Sequence, residues 1–287
     1  MSSNTTDISD FNFTGGFPTS TDLAPSIVFL AIYVLAIPVL VFRFVRKQDR
    51  TMILIRPAVF VACRLGSFGL RAWMSKNTYN ENELIAELVM ISIGALFLIA
   101  PLISCWTNHV ESEVRPEDRP RWLSLLSKAL HLLLMACIAT AVIGSSMIGK
   151  AIKDPSKMDT VTGLRRASLV LSVVVVGLVG IGITLTAVNY NLSRRGTAWL
   201  YILDGCLLVI TIYKLAQFEN TDSDSVAQSR VAFWILQILF EFFAFSLIMA
   251  ISLPTWFPSV DHEESLRDVE MGGQKNMGNP SMAFLRR

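Results

Sequence analysis

Eight charged side chains stand inside otherwise apolar stretches of this 287-residue chain: Arg56, Arg64, Arg71, Glu87, Lys128, Asp204, Lys214 and Glu241. An ionisable group near a bilayer centre costs about 2.5–3.5 kcal/mol on insertion scales, so such groups turn into a bundle interior and find partners. Counted from the middle of each stretch at about 1.5 Å per residue, Arg64 and Glu241 fall at matching depth with opposite sign. Arg71 and Glu87 meet at a shallower level, and Arg56 lies nearest the depth of Asp204. Arg64 and Arg71 are one heptad apart and Arg56 is about 80° away, so all three share one face of a helix. Gln237 precedes Glu241 by one turn and is expected to hydrogen-bond to it.

Two chemistries fit this set. One is a polar, partly hydrated cavity lined by Arg64, Arg71, Glu87, Asp204 and Glu241, with Gln237 beside it, suited to an anionic or amphiphilic small molecule such as a lipid head group. The other is a set of ion pairs that fixes helix register without binding anything. Lys128, near the end of its stretch, reaches the head groups. Lys214 either reaches the interface or joins the cavity, and His131 is read as a packing residue.

The elements that must position these groups are long. Seven apolar stretches cover residues 23–42, 52–74, 84–106, 123–149, 167–190, 198–218 and 231–253, each near or above the roughly 20 residues that cross a hydrocarbon core as a helix. Hydrophobic residues make up 52% of the chain and charged ones 17%, against roughly 25% charged in globular proteins. Only eight of the 48 charges lie inside the stretches, the segregation that a bilayer imposes. Lipid satisfies no backbone group, and the stretches are too long for barrel strands, so the expected fold is all-α, a polytopic seven-transmembrane-helix bundle spanning 23–253. A net charge of +2 gives no basic surplus for a nucleic-acid partner.

Residues 1–22 carry no Lys or Arg and read as a disordered extracytoplasmic tail, with Asn4 and Asn12 in sequons as candidate glycosylation sites. Residues 254–287 read as a disordered cytoplasmic tail. Arg43, Arg46, Lys47 and Arg50 place the first loop in the cytoplasm by the positive-inside rule, which puts the N-terminus outside. The pair Arg194 and Arg195 agrees, whereas Lys150, Lys153, Lys157, Arg165 and Arg166 fall on the opposite side. The expected location is the plasma membrane or an endomembrane, with membrane lipids as partners.

Required residues exclude several chemistries. Residues 231–253 hold no lysine for a retinal Schiff base. Three histidines, one of them within a stretch, make no zinc-hydrolase ligand set. There is no HExxH, Gly-x-Ser-x-Gly or P-loop, and Cys63, Cys105, Cys137 and Cys206 have no metal-ligand spacing. No catalytic residue, metal or cofactor is expected, and the chain is not read as an enzyme.

Four segments carry a family resemblance: Arg64-Leu65-Gly66, Ile93-Gly94-Ala95-Leu96-Phe97-Leu98-Ile99-Ala100, Leu207-Leu208-Val209-Ile210-Thr211-Ile212-Tyr213, and Glu241. On these the chain resembles fungal seven-helix membrane proteins, most closely a family of unknown function. It is more remotely similar to fungal lipid-translocating exporters linked to drug resistance. It departs from them in the sixth stretch, where Thr211 stands at an expected arginine and Lys214-Leu215-Ala216-Gln217 replaces an Arg and a Glu. The resemblance implies the fold and membrane residence. The functional expectation is that a lipid or amphiphile is bound or moved through a charged cavity; the rival is a receptor-like seven-helix sensor without transport.

Overall fold

The computed structural model describes residues 16–46, 49, 51–220 and 225–258. Among them, seven helices are long and apolar enough to cross a membrane: α1 (Ser20–Val45), α2 (Met52–Met74), α3 (Glu81–Glu113), α4 (Arg121–Ile152), α5 (Pro155–Asn189), α6 (Arg194–Glu219) and α7 (Arg230–Ala250). A short helix, α8 (Leu253–Trp256), follows. The described residues contain no strand, and the protein is an all-α, multi-pass membrane bundle.

Several helices outrun the apolar stretches that announce them. α5 begins at Pro155, twelve residues before the apolar run at 167, and its 35 residues extend about 52 Å, well beyond a hydrocarbon core of about 30 Å. Hydropathy marks depth in lipid, not the end of hydrogen bonding. What starts α5 is local: the Asp154 carboxylate accepts from the Ser156 amide at 3.3 Å, and Pro155 follows where a missing N–H costs nothing. Bonds from the Ser156 hydroxyl and from Lys157 hold the Asp154 carboxyl below its usual range. At the start of α3, Glu83 reaches back to the Asn80 amide at 2.7 Å.

α3 is the central helix, in contact with α2, α4, α5, α6 and α7. It breaks at Ala95 into Glu81–Gly94 and Leu96–Glu113. There the Ala95 amide turns to the Ile93 carbonyl and leaves the Ile91 carbonyl without its usual helical donor. α7 carries a π-helical stretch, Phe233–Leu239, immediately before Glu241. α1 leans on α2 and α7 through an aromatic cluster in which Tyr33 meets Phe60, Phe68, Phe242 and Phe245.

Glycine lets helices close up at α5. A Cβ on Gly182 would stand 2.5 Å from the Trp106 ring, and one on Gly180 would stand 2.6 Å from Asp204 Oδ2. The Trp106 indole N–H donates to Thr186 Oγ1 at 3.2 Å across the same α3–α5 contact.

Residues on both sides of the expected 23–253 bundle pack against it. Residues 16–22 lie against the bundle, with Asp22 fully buried and Arg230 donating to Thr19 and Thr21 hydroxyls at 2.5 and 2.7 Å. The reason is charge: Arg71 and Arg230 both face this segment. At the other end, Phe257, which follows α8, packs on His109 and Trp199, and Arg43 donates to the Ile251 carbonyl, completing the end of α7. Residues 1–15 and 259–287, and with them Asn4 and Asn12, lie outside the described residues.

Candidate functional site

Midway along α2 and α7, Arg64 Nη2 meets Glu241 Oε2 at 2.6 Å, both side chains completely buried. The matched depth expected from the sequence thus brings the two together. Arg64 stacks over Phe60, 5.3 Å from the ring centre, and a Cβ on Gly94 would stand 3.1 Å from its guanidinium carbon. The guanidinium also donates to the Ile91 carbonyl at 3.4 Å. Lys214 Nζ reaches that same carbonyl at 3.3 Å, and the Ser92 carbonyl at 3.4 Å. The break in α3 therefore has a consequence for charge: a carbonyl released from its ladder bridges the cations of α2 and α6.

Lys214 also lines a cavity that neither Arg64 nor Glu241 reaches. It is enclosed by α3, α4, α5 and α6, has a volume of about 40 Å³, and takes its charge from Arg165 and Lys214. Among the described residues no acidic one lines it; Ser92, Ser145, Ser168, Ser172 and Thr211 supply its other polar atoms. Most of these hydroxyl hydrogens are engaged: Ser168 donates to the Cys137 carbonyl at 2.9 Å, Ser172 to Leu169 at 2.7 Å and Thr211 to Leu207 at 3.0 Å. An ammonium has three donors, and Lys214 directs two at carbonyls. The cavity thus offers positive charge in a low-dielectric wall. Its volume is that of roughly two or three waters, so anything larger requires the helices to part.

A second cluster closes the end of the bundle that carries residues 16–22. Arg71 Nη1 meets Glu87 at 2.7 Å, as expected, and Arg71 Nη2 lies 3.5 Å from Asp22. Trp234 donates to Asp22 at 3.3 Å, and the Gly16 carbonyl accepts from Arg71 at 3.2 Å. Arg71 also lies over the Phe233 ring at 5.1 Å. One cation is thereby held by two carboxylates from α1 and α3.

Other expected relations do not form. Asp204 is not in the company of Arg64 and Glu241: it faces a groove between α5 and α6, because Gly180 admits it there. Arg56 pairs with His131, not with Asp204, at 3.5 Å from Nε2, while His131 Nδ1 is 2.8 Å from the Ser127 carbonyl. An arginine only donates, so His131 Nε2 accepts and Nδ1 carries the proton. Gln237 is buried but its amide has no partner among the described residues, Glu241 included, because the π-helical turn takes it out of one-turn register. The single cavity expected from Arg64, Arg71, Glu87, Asp204 and Glu241 is replaced by two tight ion clusters, a groove and a separate cationic cavity.

Arg165 and Asp22 escaped sequence reasoning. Arg165 stood among loop charges, yet Arg165, Ser168 and Ser172 follow i, i+3, i+7 spacing, a polar stripe that continues the helix. Arg165 is therefore no loop charge, Arg166 pairs with Glu219 at 2.5 Å and Lys157 with Asp154 at 3.0 Å. Asp22 is the acid that abuts the first apolar stretch, at the same end as Arg71.

No curated protein and no solved structure matches the chain. Residues 58–259 match the family described as RTA1 like protein. The matched range includes α3 to α6 entire, Arg64, Arg165, Lys214 and Glu241, and all four segments that carried the resemblance. Covering well over half of the sequence, this match places the chain in the RTA1 like protein family, a fungal seven-span membrane family related to lipid-translocation and resistance proteins.

Proposed function

We propose that the protein binds, and moves between leaflets, an amphiphile whose head group is anionic, with the head received in the cavity of α3 to α6. The observation that carries this reading is that Arg165 and Lys214 line one cavity with no acid among the described residues of its wall. Phosphate and carboxylate are the head-group chemistries that such a wall favours. The Arg64–Glu241 pair then holds the α3 break in place from the other side, because Arg64 and Lys214 share the Ile91 carbonyl. No covalent chemistry is assigned: the residues bind and move, and membrane lipids are the partners.

The orientation that goes with this reading has residues 1–22 outside and the C-terminal residues in the cytoplasm, in the plasma membrane or an endomembrane. The basic first loop supports it, and glycan on Asn4 or Asn12 would accompany it.

The binding test uses purified full-length protein in detergent with short-chain phosphatidic acid, and short-chain phosphatidylcholine as the zwitterionic control. A ligand at about 100 times its dissociation constant adds about 2.7 kcal/mol to folded-state stability. Phosphatidic acid is expected to raise the unfolding temperature of wild type and to lose that effect in Lys214→Gln and Arg165→Gln. Equal shifts with both lipids, or shifts that survive both substitutions, would return the receptor-like sensor as the better account.

A further inference from the structure

On their lipid-facing side α5 and α6 part into a groove of two pockets, with Tyr201 in the wall of both, that the cavity reading does not use. Its deeper half, of about 400 Å³, is walled by Gly177, Gly180, Thr184, Tyr201 and Asp204. Its shallower half, of about 350 Å³, is walled by Tyr190, Asn191, Arg194, Thr197 and again Tyr201. Tyr201 joins the two. Along α6 the polar positions Arg194, Thr197, Tyr201 and Asp204 stand at i, i+3, i+7 and i+10, one stripe of a helix. The flanking apolar residues Ile181, Leu185 and Ile202 are exposed, so the stripe opens to lipid rather than to another helix of the bundle.

Asp204 is the reason to read the groove as a site. Its side chain is only 8% exposed, and its Oδ1 has no hydrogen-bond partner among the described residues. It stands ten residues into α6 from Arg194, about 15 Å along the helix axis. Gly180 lets the carboxyl lie against the α5 backbone at the wall of the groove, since a Cβ there would come within 2.6 Å of Oδ2. The nearby hydroxyls do not reach it as donors: Tyr201 donates to Thr184 at 3.1 Å and Thr184 to the Gly180 carbonyl at 2.8 Å. A buried acceptor without a donor recruits one from whatever enters the groove, and in a bilayer that is lipid.

We propose that the α5–α6 groove is a lipid site in its own right, selective for phospholipids whose head group carries an N–H or O–H donor. Its phosphate is met first at exposed Arg194, and the donor advances past Tyr201 to Asp204. Gly180 and Asp204 are specificity-determining positions, and the site does not depend on Lys214.

The test compares phosphatidylethanolamine, phosphatidylinositol and phosphatidylcholine retained by the detergent-purified full chain in native mass spectrometry. The first two carry donors, as an ammonium and as hydroxyls; the third has the same phosphate and none. One good hydrogen bond corresponds to retention about fivefold above phosphatidylcholine. That preference is expected to vanish in Asp204→Leu, to fall in Gly180→Val, which fills the groove and keeps the carboxylate, and to persist in Lys214→Gln. A preference for phosphatidylethanolamine alone identifies an ammonium, and one for phosphatidylinositol alone identifies hydroxyls. Should Asp204→Leu not fold, Asp204→Ala and Gly180→Val carry the comparison. Equal retention of all three lipids, or a preference unchanged in the Asp204 and Gly180 variants, overturns the proposal. A preference lost in Lys214→Gln assigns the selection to the inner cavity instead.

Discussion

Arg64 and Glu241 are fully buried at 2.6 Å, and what that contact is for can be separated by double substitution. Removing one member of a buried pair strands the other charge and costs about 3–5 kcal/mol, whereas replacing both with apolar groups of similar volume is often neutral or stabilising. Glu241→Gln is therefore expected to lower the thermal unfolding temperature sharply, and Arg64→Met with Glu241→Met to restore most of it. If the double variant stays as unstable as the single one, the pair is holding the α3 carbonyls in a way that packing cannot replace. Opposite charges at equal depth are legible in a sequence, which is why Arg64–Glu241 and Arg71–Glu87 were found. Arg56–Asp204 failed because depth says nothing about azimuth: Arg56 turns to His131 and Asp204 turns into the groove that Gly180 opens. Lys214 required knowledge of where α3 breaks, and a freed carbonyl leaves no mark in side-chain types.

At the scale of elements, glycine positions distinguish contact from tolerance. Gly182 faces the rigid Trp106 ring at 2.5 Å from an added Cβ, while Gly177 has nothing within 4 Å. Overpacking of this kind costs about 1–3 kcal/mol, so Gly182→Val is expected to reduce thermal stability by that order and Gly177→Val to leave it nearly unchanged. Equal effects would mean that α5 does not approach α3 as described. The segment of residues 16–22 gives a second expectation. Asp22 is bound to Arg71 and Trp234, and charge-assisted bonds contribute about 1.5–3 kcal/mol each. Asp22→Asn should speed amide exchange in residues 19–22 about tenfold or more, with the helices of the bundle unaffected; unchanged exchange would show that Thr19 and Thr21 hold the segment alone. The seven helices themselves were legible from hydropathy, but not their ends, because Pro155 begins its helix by turn chemistry and the polar stripe at Arg165 hides beyond the apolar run.

Over the whole molecule, the interior is divided by charge. One wall of the central helix carries a neutralised pair, the other a cavity with two cations, and the end near Asp22 is closed by an arginine between two acids. Family membership carries the fold and the membrane setting, both legible in the sequence, whereas the cavity is lined by none of the residues from which the sequence built one. The direct test is leaflet-to-leaflet movement of fluorescent phosphatidic acid in phosphatidylcholine liposomes that contain the purified protein, measured by reduction of the outer-leaflet label. Wild type is expected to move the lipid, and Lys214→Gln or Arg165→Gln, shown to be folded, to do so about tenfold or more slowly, the loss of one charge-assisted contact. Folded wild type that moves no phosphatidic acid, or variants that move it at the wild-type rate, would contradict the account.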